Sequence, residues 1–122
     1  MFEMSAAHVS AFQQMVSSIF EERIIRHLRE NLHRYTEMFS DDELRLRIRV
    51  CVQAGRRYNL STERQSTCFI DTSFILGPDF ERDPDFPEAR QILQCDDTAD
   101  ERASALLDYA IEVAQDSEAI NG

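Results

Sequence analysis

A chain of 122 residues and 14.2 kDa with 43% apolar side chains holds enough material for one packed domain and too little for two. Thirteen basic against 23 acidic residues leave a formal charge of -10, which repels nucleic-acid backbones and anionic lipid headgroups. Three Gly, three Pro and no run near the roughly 20 apolar residues of a membrane span argue against a disordered or membrane-embedded chain.

In chain order, the first elements are helical. From Ala6 to Phe39 the apolar positions Val9, Phe12, Val16, Ile19 and Phe20 give way to Ile24, Ile25, Leu28, Leu32 and Tyr35, spaced by threes and fours. This pattern predicts two helices, or one bent between Phe20 and Arg23. Ser40-Asp41-Asp42-Glu43 reads as a capping box: Ser40 accepts from the Glu43 amide, Glu43 reaches back, and the acidic first turn suits the helix dipole. Phe39 and Leu44 occupy the staple positions around it. Leu44, Ile48, Cys51, Gly55 and Tyr58 share one face of the helix that follows. It is expected to end near Tyr58, where Asn59 tolerates a left-handed turn.

Thr62 and Gln65 repeat the capping pair and open a mostly buried helix through Cys68, Phe69, Ile70, Phe74, Ile75 and Leu76, stopped by Gly77-Pro78. The segment Gly77, Pro78, Asp79, Phe80, Asp83, Pro84 to Pro87 is expected to form a rigid corner with Phe80 and Phe86 turned inward and Asp79 or Asp83 capping nearby amides. Pro87 then suits the first position of a short helix carrying Ala89, Ile92 and Leu93. Thr98-Ala99-Asp100-Glu101 opens the last helix, with Ala103, Leu106, Leu107, Ala110, Val113 and Ala114 as its apolar stripe. The fold class is therefore all-α, a single domain over 1–122 of five or six short helices. Its end is strongly acidic: residues 1–76 carry 10 acidic and 10 basic side chains, whereas 77–122 carry 13 acidic and 3 basic, so the whole net charge falls there.

No catalytic or metal constellation emerges from these residues. Glu30 and His33 have the spacing of a carboxylate-bridged metal helix, but one copy stands where two and further Glu are needed, and His27 and His8 read as unpaired. Asp79, Glu81, Asp83 and Asp85 alternate as in a calcium loop, yet Pro84 and Arg90 occupy the positions of the required Gly and Glu. Cys51, Cys68 and Cys95 fit neither a disulfide framework nor a paired zinc motif, and Cys51 and Cys68 fall on apolar stripes as small buried hydrophobes. A Gly-rich phosphate loop is absent. The expectation is a non-enzymatic protein with no cofactor and no metal. It is expected to be cytoplasmic, since Met1-Phe2-Glu3-Met4 leads into no signal-peptide pattern.

The basic residues, all arginine, cluster as a ridge of Arg45, Arg49 and Arg56, joined by Arg47 and Arg57, on the helix after Ser40. Read on its own, this is a solvated face partly paired with the acidic C-terminal part. Read for function, it is a docking surface for acidic groups of a partner protein, with Tyr58 and Arg64 on the adjoining turn. Reversing Arg49 and Arg56 to Glu is then expected to weaken the complex and spare the fold.

A resemblance sharpens that reading. Tyr58-Asn59-Leu60-Ser61-Thr62-Glu63-Arg64, then Phe69 to Phe80 with Leu76-Gly77-Pro78-Asp79-Phe80 at its end, then Asp83-Pro84 and Phe86-Pro87, resembles a pattern in small bacterial proteins. Those proteins are encoded beside type VI secretion effectors and their adaptor chaperones. Members often carry Asp after that Arg and Trp after the last Pro, where this chain has Gln65 and Glu88. The resemblance implies a co-adaptor that helps an adaptor chaperone load an effector, and it brings no catalytic residues. The alternative is an immunity protein whose acidic surface covers a toxin directly. Neither reading involves nucleic acid or a membrane, and neither sets the oligomeric state.

Overall fold

The computed structural model describes the backbone of residues 6–121 and the side chains of residues 18–117. Among the described residues six α-helices run in order: α1 (Ala6–Asn31), α2 (His33–Thr36), α3 (Asp41–Arg56), α4 (Glu63–Leu76), α5 (Pro87–Gln94) and α6 (Ala99–Asn121), with a 3-10 turn at Phe80–Arg82 before α5. The described residues contain no strand, so the all-α expectation holds. The helices are not uniformly short: α1 has 26 residues and α6 has 23.

The starts fall where the caps placed them. Ser40 and Thr62 each close a full capping box, with Glu43 and Gln65 reaching back to the cap amide. Thr98 accepts from Glu101 N at 3.2 Å to open α6. Helix α3 stops at Arg56, and Asn59 takes a left-handed φ of 64° in the turn that follows. Gly77 ends α4 at φ 122°, a conformation that a side chain would strain.

The first break differs from expectation. Helix α1 continues through Phe20–Arg23 and ends only at Asn31, because Phe20, Ile24, Ile25 and Leu28 form one uninterrupted buried face. The corner is tied by Arg29, which donates to the carbonyls of Thr36 and Phe39 at 2.5 and 2.6 Å and to Asp41 at 2.9 Å. Thr36, wholly buried, donates its hydroxyl to the Leu32 carbonyl at 3.0 Å. Ile19, expected on the apolar stripe, is instead exposed. Val9, Phe12 and Val16 lie outside the described side chains.

Helix α4 is the centre of the domain. It packs against α1, α2, α3 and α6, and Gln65, Ser66 and Cys68 through Phe74 are all buried. A helix buried on nearly every side needs its polar groups satisfied internally. Two of its polar side chains are satisfied in this way: Thr72 donates to the Cys68 carbonyl at 2.8 Å, and Gln65 Nε2 donates to Asp100 at 2.8 Å. The Gly77–Pro87 corner then folds Phe80 against Phe69, ring centroids 4.9 Å apart, with Phe86 half-buried beside the core. Asp83, not Asp79, does the capping there, accepting from Asp85 N at 2.9 Å.

Candidate functional site

The capping box at Ser40 sets the rotation of α3. With Leu44, Ile48 and Cys51 committed to the core, the helical period turns Leu46, Val50, Gln53 and Arg57 to the opposite side. Leu46 and Val50, one turn apart, are 65% and 56% exposed. Two large aliphatic side chains facing outward on a helix otherwise patterned for burial form a small apolar centre, flanked by Arg49 and Arg57.

The arginines of the ridge have different tasks. Arg45 is half-buried and donates to Asp42 at 2.7 Å, one turn back. Arg49 caps a carboxylate from α1: its Nε lies 2.6 Å from Glu21 Oε1, and its Nη2 lies 3.2 Å from Oε2. The Glu21 side chain is only 4% exposed whereas that of Arg49 is 62% exposed, and the hydrogen bonds to Glu21 raise the Arg49 pKa. Arg56 and Arg57 are exposed and form no ion pair among the described residues. The pairing expected with the acidic C-terminal part is thus made with Glu21 and Asp42 instead. Arg47 does not belong to the ridge at all. It turns inward, its guanidinium carbon 4.1 Å from the Phe74 ring centroid and 5.6 Å from that of Phe39, and donates to the Ser73 carbonyl at 2.7 Å. Burial pulls its pKa down.

Beside Arg49 lies a surface groove of about 280 Å³ between α1, α3 and the start of α4. Phe20, Ile48 and Val52 give it apolar walls, and Arg56, Ser61 and Glu63 line it with polar groups. Arg23 on α1 donates to Glu63 at 2.7 Å along the same edge.

Tyr58 and Arg64 are drawn toward other elements. The Tyr58 ring stacks on Phe69 at 6.5 Å and its carbonyl accepts from Arg102 at 2.7 Å, while Arg64 donates to Ser104 of α6 at 3.1 Å. Arg102, a lone cation in the acidic first part of α6, is buried and also donates to the carbonyls of Leu93 and Asp97. Its only sequence signal is being one of three cations in the acidic part. The structure therefore brings Arg49 and Arg56 together on the groove side and separates Tyr58 and Arg64 from them.

His27, read as unpaired, is a second correction. Its Nε2 lies 2.9 and 2.8 Å from the two oxygens of Asp71, a carboxylate 7% exposed on α4. Asn31 Nδ2, held by the His27 carbonyl at 3.0 Å, faces Nδ1 at 3.2 Å and so favours the tautomer that donates from Nε2 to the carboxylate. Burial pushes the Asp71 pKa up, and the bond and charge of His27 oppose that rise. Nothing in a one-chain periodicity marks two residues 44 positions apart as partners.

Glu30 and His33 fall on either side of the helix break, and His33 pairs with Glu37 at 3.2 Å. Glu81 is buried while Asp79 and Asp85 are exposed, so the acidic corner does not converge on a point. Among the described residues no three His, Cys, Asp or Glu side chains are placed to hold a metal ion, and no helix is long and apolar enough to cross a membrane. Comparison with protein-family models, with curated proteins and with solved structures returns no match for this chain.

Proposed function

We propose that this protein acts by binding another protein through the outward face of α3. The supporting observation is the exposed pair Leu46 and Val50 flanked by guanidinium groups, since an apolar centre rimmed by Arg is a composition favoured at protein interfaces. On the resemblance of the Tyr58–Pro87 segment, the specific role is that of a co-adaptor helping an adaptor chaperone load a type VI secretion effector. The role needs recognition and holding, and it calls on no reacting group of this chain.

A second reading has its own support. Asp100, Glu101, Asp108, Glu112 and Asp116 are all exposed along α6, an acidic surface suited to covering a basic toxin as an immunity protein. Co-purification from the native host separates the two. A co-adaptor recovers an adaptor, and Leu46→Glu with Val50→Glu abolishes that recovery while thermal unfolding of the isolated domain stays unchanged. An immunity protein recovers the toxin alone and loses it on reversal of Asp108 and Glu112. Recovery of the same partner by all variants would refute both.

A further inference from the structure

We propose that the groove between α1, α3 and α4 is an anchor pocket for a partner segment that presents an apolar side chain with a carboxylate within one helical turn of it. This rests on the protein-binding reading and names the chemistry of the partner. The walls Phe20, Ile48 and Val52 ask for an aliphatic or aromatic side chain, and about 280 Å³ has room for one. The charge balance selects what sits beside it. Glu21 is neutralised by Arg49 at 2.6 Å and Glu63 by Arg23 at 2.7 Å, which leaves Arg56, among the described residues, as the uncompensated charge on the lining. The start of α4 at Glu63 adds its partial positive charge on the same side. One carboxylate matches one guanidinium, whereas a dianionic phosphate would also meet the Glu21 and Glu63 carboxylates. Arg49 and Gln53, which line the groove, lie three residues from Leu46 and Val50 on α3, so one bound segment can reach both.

The test is selection from a phage-displayed library of random twelve-residue peptides on the whole chain, followed by titration of the most enriched synthetic peptide with amide chemical-shift mapping. The expected result is enrichment of sequences that pair Leu, Ile or Phe with Asp or Glu, with shifts at Val52, Gln53, Arg56 and Ser61–Ser66. Arg56→Glu is expected to weaken binding at least tenfold and to favour basic peptides on reselection. Val52→Phe, which fills the groove and leaves Arg56 in place, should weaken binding comparably; unfolding of each variant in urea establishes that it is folded. Peptides enriched without an acidic residue, mapping elsewhere, indifference to Arg56→Glu, or no enrichment at all would overturn the proposal. So would the same shifts produced by inorganic phosphate alone. If the groove fails while a host partner is still lost on Leu46→Glu with Val50→Glu, the α3-face reading stands without it.

Discussion

At Asp71 a carboxylate is held inside the most buried helix against a single imidazole. Because burial raises its folded pKa above the unfolded value, the folded state binds that proton more tightly. The contribution of Asp71 to stability is therefore greatest below the unfolded pKa and falls as pH rises toward the folded one. Asp71→Asn is expected to flatten that part of the pH profile, measured as urea midpoints across the acidic range, and to cost little at neutral pH because the amide oxygen still accepts from His27. Asp71→Ala, which leaves the imidazole unpartnered, should destabilise the fold. The thiols make a second case. Burial raises the pKa of both Cys51 and Cys68, which suppresses the reactive thiolate, whereas Cys95 is exposed. A thiol-specific reagent should label Cys95 rapidly in the folded protein and reach the other two only on unfolding.

Among the elements, α3 and α4 owe their starting points to local chemistry. Ser40→Ala or Thr62→Ala removes a hydroxyl that satisfies a first-turn amide and should each cost about 1 kcal/mol in urea denaturation. The corner after α4 depends on tertiary packing instead. Phe80 is almost wholly buried against Phe69, and Phe80→Ala should destabilise by about 3–5 kcal/mol. The short connection after α1 follows neither rule alone. Its geometry is stabilised by Arg29 reaching seven to twelve residues ahead to two carbonyls and Asp41, a range no helical periodicity reports.

For the molecule as a whole, the uneven charge and the uneven duties of its arginines set what a partner can use. Arg49 compensates a buried carboxylate, so reversing it sets two acids against each other and endangers the fold, contrary to what the ridge alone suggested. Arg56 has no such duty among the described residues. Arg49→Ala should lower the urea midpoint clearly, while Arg56→Ala should leave it within the scatter of surface substitutions. Charge reversal aimed at partner binding therefore belongs at Arg56 and Arg57.

The sequence by itself determined the helical class, the three capped starts, the stop at Gly77-Pro78 and the inward turn of Phe80. Each depends on residues within a few positions of one another, whose backbone preferences act before any packing exists. Only the tertiary structure decided where α1 ends, that His27 meets Asp71, that Arg47 and Arg102 turn inward, and that Arg49 is bound to Glu21. These depend on desolvation and on partners supplied by other helices: a guanidinium on an amphipathic helix has the same sequence signature whether it faces water, an aromatic ring or a buried carboxylate. The groove at Arg56 is set by the same cause, since its walls come from three helices that only the packed core brings together.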